Sequence, residues 1–158
     1  MKALHLFVAF LFLLITSKIE AQSKSNKIFE KAKGTLTFPI SNYSKIDTYE
    51  QAINKPWEEQ PAKQISFVAD TICDASAIFD GAILQIKEVD SSYLLITKFG
   101  DYFITYFGLE KPSFSIGDSI KKGQLISRVQ KDDDNKYRLQ IILSTPKENL
   151  DPYPWCKH

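Results

Sequence analysis

Side chains that commonly act as nucleophiles, bases or metal ligands are sparse in this 158-residue sequence. Its two histidines, His5 and His158, lie at opposite ends of the chain, so no internal histidine is available to activate a thiol or to bind a metal ion. A catalytic zinc ion needs about three protein ligands from His, Asp, Glu or Cys. A site of the usual histidine-based kind therefore cannot be assembled from these residues, and a site made of carboxylates alone is the unusual alternative.

An acidic cluster, Asp132-Asp133-Asp134, lies between two predicted strands. Carboxylate oxygens are ligands that Ca²⁺ prefers, so such a cluster can hold the ion weakly. The cluster lacks the glycine and the distal glutamate of an EF-hand loop. The pattern therefore favours a solvated loop between two strands.

Two cysteines, Cys73 and Cys156, permit one disulfide if the protein is exported to an oxidising compartment. A bridge between them would close a long loop and stabilise the fold by about 3–5 kcal/mol in the chain-entropy model. Two buried or reduced thiols are the alternative. Both stay open, because pairing requires the two Cα atoms to come within bonding range.

The elements that position these residues belong to an ordinary globular protein. Hydrophobic residues make up 44% of the chain, aromatic residues 13% and charged residues 25%, which excludes collagen-like, disordered and coiled-coil structures. With 20 Lys and Arg against 19 Asp and Glu, the chain has no electrostatic footprint for nucleic acid. The length fits one domain, or one domain with a small appendage.

An apolar run from Leu4 to Ile15 follows the positively charged Lys2. This run is too short to cross a bilayer core, which takes about 20 apolar residues, and it is typical of a secretory signal peptide. We predict a signal peptide over residues 1–21, cleaved after Ala21, and an exported protein that is periplasmic or extracellular. An uncleaved N-terminal anchor is the alternative. Residues 22–33 are polar and rich in lysine, which predicts a flexible lead-in or one short helical turn before a domain over residues 34–158.

Short runs rich in Ile, Leu, Phe, Tyr and Val fill the rest of the chain, and several close-spaced strands of this kind predict an all-β sandwich or barrel. Residues 40–63 are polar and are predicted to form a loop. Hairpin connections are expected at Asp90-Ser91-Ser92 and at Gly100-Asp101. The predicted strands cover residues 34–39, 65–69, 82–89, 93–99, 102–109, 124–129 and 137–143.

Three motifs occur in a fixed order among these strands. They are the segment Ala77-Ile-Phe-Asp-Gly81, the aromatic strand 102–109, and the segment 114–126 with its Gly-Asp and Gly-Gln pairs. Gly117 and Gly123 suit tight turns that need a positive φ or a close backbone approach. Asp118 can hydrogen-bond to the backbone of its own turn. We predict structural turns at Gly81, Gly117, Asp118 and Gly123.

This ordered set resembles the LytM/lysostaphin-type zinc metallopeptidase domain, a family of peptidoglycan endopeptidases. Residues 34–39, Gly-Thr-Leu-Thr-Phe-Pro, resemble the opening strand of that family, and residues 151–155, Asp-Pro-Tyr-Pro-Trp, resemble its closing segment. The resemblance implies a LytM-like duplicated-hybrid-motif domain, all-β, in which a central antiparallel sheet folds over a groove.

The ligand positions of that family carry other residues here. Its zinc-binding His-x-x-x-Asp motif falls on Ala62 and Ser66, and its late His-x-His motif falls on Arg138 and Gln140. The histidine that precedes a leucine in the family's aromatic strand falls on Gly108. Arginine has no free lone pair for a metal, and glutamine is a poor zinc ligand. The resemblance therefore implies a degenerate member without catalytic residues, without a metal site and without a cofactor.

Arg138 and Gln140 are two residues apart on one strand, so they share a face, and the resemblance makes this face the floor of the groove. We predict that Tyr106, Gly108, Arg138 and Gln140 are groove residues able to hydrogen-bond a glycan, a peptide stem or a partner's backbone. The alternatives are that Arg138 and Gln140 fill the groove with polar contacts, and that Tyr106 belongs to the core.

The resemblance implies a catalytically inactive LytM-type homologue that acts at the bacterial cell wall as a binding or regulatory module. It is similar to the EnvC/NlpD-type amidase activators, so peptidoglycan or a cell-wall hydrolase is the expected partner. No nucleic-acid partner and no membrane span after signal cleavage are expected. Two alternatives stay open: a divergent zinc metalloendopeptidase that cleaves peptidoglycan cross-links, and a lipoyl-like structural or adaptor module.

Overall fold

A computed structural model of the chain describes residues 18–48 and 63–157. Within these residues a helix, α1, covers residues 18–31, and ten strands follow it. The strands are β1 (Lys45–Asp47), β2 (Gln64–Ala69), β3 (Asp74–Ser76), β4 (Gly81–Val89), β5 (Ser92–Phe99), β6 (Tyr102–Leu109), β7 (Ser119–Ile120), β8 (Leu125–Arg128), β9 (Tyr137–Ser144) and β10 (Asn149–Leu150). A short 3₁₀ helix, Tyr153–Trp155, comes last. No helix of these residues is long and apolar enough to cross a bilayer.

One large antiparallel sheet dominates the structure. Its strand order is β1-β2-β9-β6-β5-β4-β7, and β10 pairs with the end of β9. Strands β3 and β8 form a separate two-stranded sheet. The prediction of an all-β domain with a central antiparallel sheet is confirmed.

Alternation along the long strands decides which side chains enter the core. In β6 the residues Ile104 and Tyr106 are buried, whereas Phe103, Thr105 and Phe107 lie on the opposite face and are partly exposed. The same alternation runs through β9, where the inward residues are Leu139, Ile141 and Leu143. A strand with this two-residue period buries one face and presents the other, and that second face carries the candidate site.

The N-terminal segment differs from the flexible lead-in expected for residues 22–33, because helix α1 is packed against the domain. Phe29 is fully buried, and its ring lies 4.3 Å from that of Tyr102 and 5.1 Å from that of Trp155. Asn26 also exchanges hydrogen bonds with Asp101 in the β5–β6 turn, at 2.7 and 2.8 Å. These partners are distant in sequence, so the segment's own composition did not indicate the helix. Most of the predicted signal peptide, residues 1–17, lies outside the described residues, and cleavage after Ala21 stays a prediction.

The segment 34–39 does not form the predicted edge strand. It makes a single bridge between Leu36 and Cys156, and the amides of Gly34 and Leu36 both donate to the carbonyl oxygen of Trp155. With φ at +78°, Gly34 turns the chain at this point, so the segment wraps around the C-terminal residues. The predicted loop 40–63 also contains the short strand β1.

At the predicted turns, Gly117 and Gly123 have positive φ angles of +95° and +79°. Asp118 accepts a hydrogen bond from the backbone amide of Ser115 at 2.7 Å, as expected of a turn-capping carboxylate. Gly81 is not in a turn, because it is the first residue of β4 and pairs with Ile120. A Cβ atom there would lie 3.1 Å from the carbonyl oxygen of Lys98, so a larger residue would make a tight contact with β5.

The possible disulfide is not formed. Cys73 and Cys156 are both free, buried thiols. The thiol of Cys156 donates to the carbonyl oxygen of Pro152 at 3.6 Å, while the backbone of Cys73 is held by the amide of Val129. Burial raises the pKa of both thiols, for Cys156 to about 11. The structure therefore has the alternative arrangement of two inert thiols in the core.

Candidate binding groove

A row of paired residues crosses four strands of the central sheet. Asp47 of β1 pairs with Ser66 of β2, Ser66 with Gln140 of β9, and Gln140 with Phe107 of β6. Directly paired residues of antiparallel strands place their side chains on the same face. All four side chains therefore lie on the face opposite the core.

A groove of about 520 Å³ lies over one end of this row. Its floor contains Phe107, Gly108, Arg138 and Gln140. One wall is the turn 90–92 between β4 and β5, and the other is the segment 130–133 that leads to β9. Three of the four predicted groove residues are thus brought together at one site.

Arg138 is held at the groove floor by two carboxylates. Its Nε donates to Oδ2 of Asp132 at 3.1 Å, and its Nη1 lies 3.8 Å from Oδ2 of Asp47. About a third of the side chain is exposed, and Arg138 is one of the residues that line the groove. Arg138 contributes a fixed positive charge and spare hydrogen-bond donors.

Asp132 is committed to structure rather than available as a free ligand. Its Oδ1 accepts the backbone amides of Asp134 and Lys136 at 3.1 and 2.8 Å, while its Oδ2 binds Arg138. Partial burial raises the pKa of Asp132, but the hydrogen bonds from Lys136 and Arg138 outweigh burial and lower this pKa below its ordinary value. These contacts support the interpretation of the acidic cluster as a loop between two strands, and the structure places this loop at the groove wall.

Gly108 marks a bulge where β6 passes very close to β9. The pairing of β5 with β6 steps from Tyr93–Leu109 to Leu94–Phe107, which leaves Gly108 as the extra residue, with φ at +93°. A Cβ atom at this position would overlap the carbonyl oxygen of Arg138. The position that resembles the family's histidine therefore has no space for any side chain.

Tyr106 is a core residue, contrary to its prediction as a groove residue. It is fully buried, and its hydroxyl accepts the backbone amide of Ile78 at 3.0 Å. Burial raises its pKa, so the hydroxyl stays neutral. The prediction placed Tyr106 on the face of Gly108 because they are two residues apart. The bulge at Gly108 breaks that period, and Phe107 takes the place on the groove face.

The side chains of Ser66 and Gln140 lie beside each other on the groove face. Ser66 is 6% exposed, and Gln140 is partly exposed. Within residues 18–48 and 63–157, no hydrogen bond engages the amide of Gln140. An unpaired side-chain amide offers both a donor and an acceptor to a ligand.

These residues do not fit the zinc ion of the family that the sequence resembles. Ser66, Gln140 and Gly108 supply a hydroxyl, an amide and no side chain at all, and Arg138 places a cation at the same floor. Ala62 lies outside the described residues, and an alanine side chain has no ligand atom. Among the described residues, no group of three or more His, Cys, Asp or Glu side chains is arranged to hold a metal ion.

Several groove residues were missed by the sequence reasoning. Phe107, Asp132 and the turn around Asp90 line the groove, yet none was predicted there. The sequence held one indication of these groove walls, because the acidic cluster and the β4–β5 turn both connect predicted strands. Their proximity depends on strand order, which places β6 between β5 and β9.

A scan against protein-family models finds no match, and no curated protein matches the chain. Solved structures do match. Csd3 of Helicobacter pylori has 15% sequence identity and a TM-score of 0.60, over 78% of this chain and 33% of Csd3. A chain from the crystal structure of the SpoIIIAH and SpoIIQ complex has 15% identity and a TM-score of 0.61, over 75% of this chain and 98% of that one. Lysostaphin has 18% identity and a TM-score of 0.55, over 77% of this chain and 54% of lysostaphin.

At these identities the likeness shows the fold, and the protein has the LytM/lysostaphin-type peptidase fold that its motifs predicted. Other structures of this fold include a putative M23 peptidase from Pseudomonas aeruginosa. The chain spans about a third of the length of Csd3. The chain is therefore a LytM-like module by its fold. Its groove contains Arg138 and Gln140, at the positions where the sequence resemblance places the family's histidines.

Proposed function

We propose that this protein is an exported, catalytically inactive LytM-type module that acts at the bacterial cell wall by binding. Its groove recognises a peptide stem of peptidoglycan or a segment of a cell-wall hydrolase, and the protein works as a binding or regulatory subunit. The observation that carries the proposal is the pairing of Arg138 with Asp132 at the groove floor. This ion pair places a cation where a metallopeptidase of this fold needs neutral or anionic ligands.

The groups on the groove floor support recognition of a polar, peptide-like ligand. Gln140 offers an amide, Arg138 offers N–H groups that Asp132 does not use, and Phe107 offers an apolar surface beside them. Amide and guanidinium groups match the carbonyl, amide and carboxylate groups of a peptide stem.

The structural neighbours support a role in a protein assembly. One is a chain of the SpoIIIAH–SpoIIQ complex, which is described as pore forming. A domain of this fold therefore occurs in a complex between two proteins. Lysostaphin and a zinc-containing peptidase from Vibrio cholerae share the fold as well, which keeps the metallopeptidase alternative in view.

The metal content of the purified, untagged protein separates these functions. After incubation with zinc and desalting, we expect almost no bound zinc and no cleavage of peptidoglycan cross-links. One tightly bound zinc ion per chain, together with cross-link cleavage, would establish the metalloendopeptidase alternative in place of this proposal. N-terminal sequencing of the exported protein tests the predicted signal-peptide cleavage after Ala21, and the expected first residue is Gln22.

Co-sedimentation with purified peptidoglycan, and stimulation of a wall amidase by the same protein, test the groove. We expect Gln140→Ala to weaken either interaction by about tenfold, since a hydrogen bond to a charged or polar ligand contributes about 1–2 kcal/mol. Arg138→Ala should weaken it further. Gln140→Ala is the more decisive variant, because it leaves the ion pair between Arg138 and Asp132 intact.

Arg128→Ala is the matched control. The side chain of Arg128 is 61% exposed, it lies on β8 of the small sheet, and its ion pair with Asp74 is long, at 4.0 Å. We expect this variant to bind like the unmodified protein. If all three variants bind equally well, the groove is not the binding site. If the unmodified protein neither binds peptidoglycan nor stimulates an amidase, the proposed function is wrong.

A further inference from the structure

The groove carries charged groups of both signs, and the strands and the connecting segments supply different ones. Arg138 and Gln140 belong to β9 at the floor, whereas Asp90 lies on one wall and Asp133 on the other. Asp90 and Asp133 are exposed, and the side chain of Arg138 is 32% exposed. A ligand in the groove therefore meets hydrogen-bond donors at the floor and a carboxylate at each wall.

The two wall carboxylates are not neutralised by the protein. Arg138 and Asp132 offset each other, because the guanidinium donates to the carboxylate at 3.1 Å. In the part of the chain that the structure describes, no ion pair or hydrogen bond engages the side chain of Asp90 or Asp133. Lys131 is the other cation of the lining, so the groove has three carboxylates against two cations. This balance favours a ligand with a positive group at the walls and an acceptor at the floor.

The wall at Asp90 is a tight two-residue turn. Val89 pairs with Ser92 at the ends of β4 and β5, so Asp90 and Ser91 alone connect the two strands. Both have positive φ, +46° and +64°, and the hydroxyl of Ser92 donates to the carbonyl oxygen of Val89 at 3.1 Å. Turns of this conformation usually hold asparagine or glycine, and aspartate is among the few other residues that tolerate it. The turn therefore holds Asp90 at the groove wall.

A second closed turn forms the opposite wall. The amide of Asp132 donates to the carbonyl oxygen of Lys136 at 2.7 Å, and the amide of Asn135 donates to the carbonyl oxygen of Asp132 at 3.0 Å. Asp133 lies inside this bonded loop, with its side chain exposed beside the groove. The backbone thus places a carboxylate at both walls before a ligand binds, which lowers the ordering cost of binding.

The size of the groove favours a short ligand. Its volume of about 520 Å³ is within the range of pockets that hold small molecules, about 300–1,000 Å³. A peptide of a few residues fills such a space. A stable contact with a folded hydrolase would need a much larger surface, about 800 Å² on each partner.

We propose that the groove binds a peptidoglycan stem whose side-chain amine is free, which is a stem that has not been cross-linked through that amine. Its ammonium group lies between Asp90 and Asp133, and a carboxylate or carbonyl group of the stem accepts hydrogen bonds from the floor. Cross-linking converts the amine into an amide and removes its charge. This inference rests on the proposed function, and it names the ligand of the same groove.

The test uses two synthetic tetrapeptide stems that differ in one group. Both contain a lysine, which has a free side-chain amine in one peptide and an acetylated amine in the other. Each is titrated into the isotope-labelled full chain, and amide chemical shifts report the site and the dissociation constant. We expect acetylation to weaken binding about threefold or more, as the loss of an exposed ion pair does. Added salt should reduce this preference.

Matched substitutions identify the carboxylates that recognise the amine. We expect Asp90→Asn and Asp133→Asn each to bring the two dissociation constants closer together, because asparagine keeps the size of the side chain and removes its charge. Asparagine also tolerates the positive φ of residue 90. Asp134→Asn is the control, since Asp134 is exposed in the same loop but is not among the described residues that line the groove. It should keep the full preference.

The preference is a ratio of two constants on one variant, so partial unfolding cannot produce the expected result. Equal binding of the two peptides, a preference that survives in both Asp90→Asn and Asp133→Asn, shifts away from the groove, or no binding of either peptide would each overturn the inference.

The outcome for the proposed function is separate. If neither peptide binds while the protein stimulates a wall amidase and Gln140→Ala reduces that stimulation, the stem inference fails and the proposed function stands with the hydrolase as partner. If the protein also neither binds peptidoglycan nor stimulates an amidase, both fail.

Discussion

Replacing Gly108 with alanine tests whether the groove floor excludes a side chain. Two costs arise in the structure. The backbone there has φ at +93°, and the left-handed region costs a residue with a Cβ atom about 1–2 kcal/mol. The new Cβ atom also overlaps the carbonyl oxygen of Arg138, which belongs to the backbone of β9 and cannot rotate away. Such overpacking adds about 1–3 kcal/mol, so we expect a total destabilisation of about 2–5 kcal/mol.

Gly117→Ala separates the two costs. Gly117 has nearly the same φ, +95°, but nothing lies within 4 Å of its hypothetical Cβ atom. We expect this control to lose only about 1–2 kcal/mol. Equilibrium unfolding in urea measures both variants, and the slope against denaturant should not change. If the two substitutions cost the same free energy, β6 and β9 are not in close contact at Gly108, and the argument that this position excludes a histidine is wrong.

Three further predictions concern the groove wall, the helix and the thiols. The pKa of Asp132 is lowered in the folded state. The stability that its carboxylate contributes is therefore complete above the ordinary carboxyl pKa of about 3.9 and is lost as the pH falls through the lower folded pKa. We expect Asp132→Asn to reduce the loss of unfolding free energy at acid pH. Phe29→Ala should destabilise the protein by about 3–5 kcal/mol in urea unfolding, because the ring is fully buried among aromatic side chains. Cys73 and Cys156 should be unreactive toward a thiol reagent at pH 8 in the native state and should both react after unfolding, since both thiols are buried with a raised pKa.

Each of these predictions has a contrary result. An acid limb that is unchanged in Asp132→Asn would mean that the folded state does not lower this pKa. A loss of less than about 1 kcal/mol in Phe29→Ala would mean that helix α1 is not packed on the domain. Reaction of neither cysteine after unfolding, reversed by a reductant, would indicate a disulfide in the isolated protein.

The resemblance in the sequence was sufficient for the fold type and for part of the groove. The period of two in β6 and β9 depends only on local chemistry, so the inward set Leu139, Ile141 and Leu143 was available from the sequence. The turns at Gly117 and Gly123 could also be predicted from the sequence, because a tight turn selects residues that tolerate positive φ. The substitution of Arg138 and Gln140 for histidines is visible in the sequence and already opposed a zinc site.

The remaining features depend on contacts between distant residues. Tyr106 is in the core and does not share a face with the groove, because the bulge at Gly108 interrupts the two-residue alternation of β6. No local sequence pattern shows where an extra residue will interrupt the pairing of two strands. Helix α1 forms against the aromatic rings of Phe79, Tyr102 and Trp155, which are far from it along the chain. Strand order and register also decide that Ile96, Thr105 and Ile142 are neighbours on the exposed face of the sheet. Periodicity and turn chemistry act over a few residues, whereas register and burial depend on the whole sheet.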